Sequence, residues 1–345
     1  MANIKFSQFT TKTDPANVEF VVGYNGTTNV KIAPGDIGGG GATSLNGLTD
    51  CLVDTASLYV GEVPAGLSGN PQSNTVLGID AGDSLTSAAG NTLLGNQSGK
   101  TLTVGAYNTL IGMRAGGLGY STVSNVVAIG ASAGRDTNSG NNSVLIGNNA
   151  GVSNTGTSAI AIGLESGRVN SATGTISIGH QAGYSNTSAT GITNIGFEAG
   201  YTNTTSTNRT VMGYQAGKFN TGSANVFLGS SAGLGVSGSS SGGTNVGIGH
   251  QSLQGHTTGG SNVAIGFNSA SQLTSGSFNT AIGDQAHYSA TIGSNNISIG
   301  YNAQPSALNV SNQITLGNSN ITLLRIPGLG STDGHVLQYS SSSGG

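Results

Sequence analysis

The sequence predicts an all-β fold: a parallel β-roll or β-helix solenoid with about 17 residues per coil and 15 repeats, assembled as an intertwined homotrimer. Three observations carry that prediction. A short phrase recurs at a fixed step, its apolar residues keep one phase, and both faces of the strand it encodes are apolar.

The phrase begins at Asn74-Thr75-Val76-Leu77-Gly78 and ends at Gln313-Ile314-Thr315-Leu316-Gly317. Between them its glycine recurs at Gly95, Gly112, Gly130, Gly147, Gly163, Gly179, Gly196, Gly213, Gly229, Gly249, Gly266, Gly283 and Gly300. Gly78 to Gly317 spans 239 residues in 14 steps, or about 17 residues per step. A constant step of this size builds stacked coils, each touching only its neighbours.

Positions are counted from that glycine. Position −3 is β-branched in every copy, from Thr75 and Val127 to Ile176 and Ile314, and position −1 is Leu, Ile or Met. Side chains alternate along a strand, so these two positions share a face. The glycine then closes the strand, where a positive φ is expected. Ile111 with Gly112, Ile129 with Gly130, and Ile265 with Gly266 anchor representative copies. Position +3 is small in every copy but the last, which has Asn320. In the first ten copies another glycine follows it, as at Gly82 and Gly233. Each coil reads as one strong strand, a corner, and a second side that admits small residues.

Position −2 points the other way and is also largely apolar, with Val76, Leu93, Leu110, Ala128, Leu145, Val211, Phe227 and Ala264. A face turned to water would be polar. A single coil supplies about two large aliphatic residues, too few against backbone entropy of about 1–2 kcal/mol per residue. One face is therefore expected to pack within the chain and the other against sister chains, three around an axis, with two as the alternative. Fourteen steps of about 4.8 Å give a rod roughly 65–70 Å long. Asn opens many strands, at Asn74, Asn91, Asn108, Asn225, Asn245, Asn262, Asn279 and Asn296. Such residues form amide ladders when in register, or simply favour the preceding turn.

Four segments follow. Residues 1–36 contain Phe20–Tyr24 and Asn29–Ile32, two strands around an Asn25-Gly26 turn. Residues 37–70 comprise the linker Gly38–Gly41 and a segment expected to cap the first coil. Residues 71–321 are the array. Its one long step, Gly229 to Gly249, carries the loop Ser237–Gly243. Residues 322–345 lose the phase, with a turn and strand near Asp333–Gln338 and a low-complexity tail, Ser340–Gly345.

Composition excludes several classes. Only 7% of the 345 residues are charged and 60 are Gly, against about 25% charged and 7% Gly in an ordinary domain. The strict phase argues against the disorder that such a composition otherwise suggests. A net charge of −3 without a basic run makes nucleic acid an unexpected partner. Cys51 stands alone, so no intrachain disulfide forms. No 18-residue apolar stretch and no signal-peptide core is present, so neither membrane insertion nor standard export is expected. No cofactor motif appears.

The stretch Asn262-Val263-Ala264-Ile265-Gly266-Phe267-Asn268-Ser269-Ala270 resembles the head repeat of YadA-type trimeric adhesins. That resemblance implies a trimeric left-handed parallel β-roll that binds host surfaces. The family's usual step is a few residues shorter, so the resemblance covers the strand. The longer form, Asn108-Thr109-Leu110-Ile111-Gly112-Met113-Arg114-Ala115-Gly116, resembles repeats in tailed-phage fibre proteins. The opening segments Phe6–Asp14 and Val22–Val30 are similar to the N-terminus of structural proteins of marine cyanophages. Asp333-Gly334-His335-Val336-Leu337 is similar to a phrase near fibre ends.

Together these imply a rigid trimeric shaft of a virion tail fibre, made in the host cytoplasm. It would be joined to a tail or baseplate protein through residues 1–36 and would meet a host glycan or protein. A bacterial adhesin, a head or neck decoration fibre and a glycan-degrading tailspike are the alternatives.

Enzymatic chemistry is not expected. Glycan cleavage needs two carboxylates about 5–9.5 Å apart. Asp80, Asp83, Asp136, Glu165, Glu198 and Asp284 are scattered over the coils, with Glu165 and Glu198 two coils apart. His180 and His250 both follow an anchoring glycine but lie four coils apart, so one chain brings no metal set together. One ladder stands out. Consecutive coils place His180, Phe197 and Tyr214 at +1, and Tyr184, Tyr201 and Lys218 at +5. Spaced about 4.8 Å apart, these are expected to stack into two stripes that contact a sugar face, or that stabilise the roll or its subunit interface.

Overall fold

The structure is a computed structural model that describes residues 20–25, 28–32, 51–54, 57–61, 64–68, 71–137 and 140–321. It is all-β, with 16 parallel strands in a β-solenoid of about 15 turns and roughly 17 residues per turn. Gly38–Gly41, Asp333–Gln338 and the tail from Ser340 lie outside the described residues. The chain divides into two compact units, one ending at Thr205 and the other beginning at Ser206.

In the first unit, β1 (Phe20–Asn25) and β2 (Thr28–Ile32) pair antiparallel, with Asn25 opposite Thr28. β3 (Cys51–Asp54) pairs antiparallel with β4 (Ser57–Gly61). β4 then pairs in parallel register with β5 (Thr75–Gly78), Tyr59 facing Val76. A strand outside the repeat thus continues the stack. β6 (Thr92–Leu94), β7 (Thr109–Ile111), β8 (Val127–Ile129), β9 (Val144–Ile146), β10 (Ile160–Ile162), β11 (Ile176–Ile178) and β12 (Ile192–Ile195) follow. Each is aligned residue for residue on the one before, as Leu93 on Val76 and Leu110 on Leu93.

The second unit repeats the scheme in β13 (Arg209–Met212), β14 (Val226–Leu228), β15 (Val246–Ile248), β16 (Val263–Ile265), β17 (Thr280–Ile282), β18 (Ile297–Ile299) and β19 (Ile314–Leu316). The long step between Gly229 and Gly249 leaves Val236–Ser239 exposed as a bulge. Val236 N–H donates to Ser240 Oγ at 2.6 Å to close it, and Ser240 pairs with Asn220 of the preceding coil.

The corner after each strand explains the recurring glycine. Gly95 has φ +125°, and a β-carbon there would lie 2.8 Å from the carbonyl of Gly112 in the next coil. Only glycine permits that conformation and that approach. Two residues later the backbone is left-handed even without glycine, as at Asp80, Arg114, Glu165 and Gln285. Position −5 is left-handed too, as at Tyr107, Asn125 and Phe278. Hydrogen bonds from coil to coil hold these turns: Gln97 N–H donates to Ile79 O at 2.8 Å and Tyr107 N–H to Ala89 O at 3.0 Å. Such bonds offset the roughly 1–2 kcal/mol that a left-handed L-residue costs.

The corners decide which strand face points inward. Position −2 is the interior: Val76, Leu93, Leu110, Ala128, Leu145, Val211, Phe227 and Ala264 are all at most 1% exposed. Positions −3 and −1, the stronger apolar signal in the sequence, face out. Ile111 and Ile129 are partly exposed and Ile265 is exposed. The second side is also richer than the small-residue expectation. Ala81, Ala115 and Ala216 are buried as expected, but Leu85, Leu102, Tyr120, Leu253 and Leu273 lie buried beyond them.

The asparagine ladders are present, and so is the turn role. Asn279 Nδ2 donates to Asn262 Oδ1 at 3.1 Å, Asn279 N–H donates to the same oxygen at 2.9 Å, and Nδ2 also reaches Gly293 O at 2.9 Å. Asn91 and Asn108 repeat the pattern in the first unit. From Val126 to Arg209 the opening position is no longer Asn, and a second column takes over at +7. There Asn170 donates to Asn154 Oδ1 at 2.8 Å, and Asn186 to Asn170 at 2.9 Å. Backbone amides buried away from water need such partners.

Candidate functional surface

The outward face of the strand is the most extended feature. Among the described residues, the exposed large apolar side chains concentrate in two adjacent columns. Column −1 contributes Leu77, Leu94, Met212, Ile265, Ile282, Ile299 and Leu316, and column +1 contributes Ile79, Met113, Leu164, Phe197, Tyr214, Phe267 and Tyr301. Two of seventeen positions thus hold most of the exposed large apolar groups. Parallel in-register pairing aligns each column along its own unit. Large apolar patches are the kind of surface that association sites use.

The nominated aromatic ladder forms within the first unit. His180 and Phe197 have ring centroids 4.9 Å apart at 30°, and Tyr184 and Tyr201 stack at 5.0 Å and 16°. Tyr214 and Lys218 belong to the second unit, where Lys218 Nζ lies 5.0 Å from the Phe219 ring centroid. Stacking turns the tyrosine faces toward each other. Arg168 lies 5.4 Å from the Tyr184 centroid and donates from Nη1 to its hydroxyl at 2.8 Å.

Glu165, one of the carboxylates the sequence offered for glycan cleavage, completes this cluster with Arg168 and Gln181, which the sequence did not single out. Gln181 Nε2 donates to Glu165 Oε2 at 2.8 Å, and Arg168 Nε lies 3.9 Å from Glu165 Oε1. Their signal was available as positions +2 and +5 of adjacent coils. At position +1 of adjacent coils, His250 stacks on Phe267 at 5.4 Å and 8° in the second unit.

The carboxylates of the array are partly engaged. Asp80 accepts from Lys100 Nζ at 2.8 Å and Gln97 Nε2 at 3.2 Å. Asp136 accepts two bonds from Arg135, which hold that guanidinium pKa above its usual value. A groove of about 270 Å³ is lined by Thr101, Leu118, Gly119, Ser121 and Asp136, with Asp136 its only carboxylate. Among the described residues no group of three or more His, Cys, Asp or Glu is placed to hold a metal, and no helix is long and apolar enough to cross a membrane.

No protein-family profile, curated protein or solved structure matches the chain.

Proposed function

We propose that this chain is the shaft of a virion fibre of a tailed phage, a structural homotrimer that carries attachment to the host surface. One observation carries the self-association: within each unit the −1 and +1 columns expose aliphatic and aromatic side chains, Ile79 and Leu94 in the first, Ile282 and Tyr301 in the second. These side chains are about 40–70% exposed, so in a lone chain each forgoes roughly half of the 1.5–3 kcal/mol that full burial provides, on the order of 1 kcal/mol. Sister chains carrying the same columns cover them at every level, because symmetry joins identical surfaces. The phage assignment is supported by the resemblance of Phe6–Asp14 and Val22–Val30 to cyanophage structural proteins and of the longer repeat to phage fibres. Repeated coils then supply reach and stiffness, and three copies supply avidity. The aromatic cluster around Tyr184 and Tyr201, or the shaft's outer columns, would meet a host glycan or protein.

Native mass spectrometry tests the assembly. A mass three times 33.9 kDa is expected for the wild type. Ile265→Lys with Ile282→Lys is expected to yield monomer that keeps a β-type circular-dichroism spectrum. A wild-type chain that is monomeric at micromolar concentration overturns the proposal. Immunogold labelling of the particle then tests the fibre location against a head or neck site.

A further inference from the structure

Two histidines of the second unit lie inside the coils. His256 and His287 are each fully buried, whereas His180, the one histidine of the first unit, is partly exposed. His256 occupies the +7 column, where Asn220 stands two coils earlier. His287 occupies +4, the column that is glycine in ten other copies.

The bonds around His256 accommodate one protonation state. Asn220 Nδ2 lies 3.3 Å from its Nδ1. Asn220 Oδ1 is already occupied, accepting from Gly222 N–H at 3.1 Å and Asn225 Nδ2 at 2.9 Å. The amide therefore presents its N–H to the ring, and Nδ1 must accept. On the other side Nε2 donates to Gly259 O, the carbonyl that Asn245 Nδ2 also reaches at 3.2 Å. A second proton on Nδ1 would meet the Asn220 N–H donor head-on. His287 has Ser298 Oγ 3.0 Å from Nδ1 and no partner at Nε2. A proton there would leave a charge in an interior with no anion.

The groups facing His256 are Asn220, Asn245, Ser240, Gly242 and Gly259, none of which titrates. The titratable neighbours of His287 on its own coil, Asp284 and Tyr288, are exposed, and the adjoining coil presents Ser298. Nothing on these elements compensates an imidazolium.

We propose that the solenoid of residues 206–321 is an acid-sensitive element, loosened by protonation of His256 and His287, while the first unit stays closed. The sign follows from burial, which lowers both imidazole pKa values, that of His287 to about 4. The opened chain binds the proton more readily, so stability is complete above about 6.5. It is lost as pH falls from there toward about 4. The proposal does not depend on the fibre reading.

Hydrogen exchange of the full-length protein, read by mass spectrometry and corrected for intrinsic rate, tests it at pH 7.5 and pH 5.0. Peptides covering 245–300 are expected to open at least about tenfold more often at pH 5.0. Peptides covering 75–195 should be unchanged. His256→Asn with His287→Ala is expected to abolish the difference, and His250→Gln to leave it intact. Equal acid loosening of both units, or an acid response that survives the double variant, overturns the proposal. Should the double variant fail to fold, NMR titration of the wild-type imidazoles decides. Two that remain neutral at pH 6 support it, and two that titrate near 6.5 without loss of protection overturn it.

Discussion

Leu253 of the same coil and Phe227 of the preceding coil share the space that Gly247 leaves, with Phe227 Cδ1 3.0 Å from where a β-carbon on Gly247 would lie. A β-carbon built on Gly247 would lie 3.5 Å from Leu253 Cδ1, and Leu253 is fully buried with φ +51°. Elsewhere the sizes are reversed. Leu110 at −2 is paired with Gly116 at +4, where an added β-carbon would sit 2.8 Å from Leu110 Cδ1. The coil interior thus holds a roughly constant volume supplied from either side.

That exchange predicts compensation. Leu253→Gly is expected to cost about 2–5 kcal/mol through the cavity it opens. Gly247→Leu alone overpacks the coil and costs about 1–3 kcal/mol. The double variant restores the Leu110–Gly116 arrangement and should recover most of both losses. Urea unfolding of the three variants measures the coupling, and strictly additive losses would refute it.

Corner glycines are expected to differ by their surroundings. Gly112 has φ +127° and an added β-carbon would lie 2.6 Å from Gly130 O, whereas Gly174 has φ +68° and nothing within 4 Å. Gly112→Ala should cost about 3 kcal/mol or more and Gly174→Ala about 1 kcal/mol. Thermal melts of the two variants provide the comparison.

The ladder predicts a large effect from one amide. Asn262 Oδ1 accepts both the backbone and side-chain N–H of Asn279, while its own Nδ2 reaches Asn245 and Gly276. Asn262→Ala leaves buried donors and an acceptor without partners, each costing about 1–3 kcal/mol. Exchange of the Asn279 amide should accelerate more than that of amides in the first unit.

Arg209 marks a place where the ladder is broken. It stands at the Asn position, is 1% exposed, and makes a single bond, Nη2 to Gly217 O at 3.4 Å. Its Nε and Nη1 have no partner, and burial lowers its pKa to about 10. Arg209→Asn is therefore expected to raise stability by about 1–3 kcal/mol, since it removes a buried charge without a carboxylate. A lower midpoint in chemical unfolding would show that the arginine is needed where it lies.

The period and phase of the sequence were sufficient to establish the solenoid, the coil length, the parallel register, the strand-closing glycine and the stacked Tyr184–Tyr201 pair, while they left the Asn ladder and a plain turn role for Asn side by side. Each follows from equivalent residues falling one above another at a single spacing. Which face points inward required the tertiary structure. Both faces of the strand are apolar, so hydrophobicity alone does not choose between Val76 and its neighbours Thr75 and Leu77. The choice is made by left-handed corner residues such as Gln97, Tyr107 and Arg114, whose side chains carry no strong turn signal. The +7 column of Asn154, Asn170 and Asn186, and the contact of Arg168 with Tyr184, were hidden for the same reason: they depend on how sharply the backbone turns between strands.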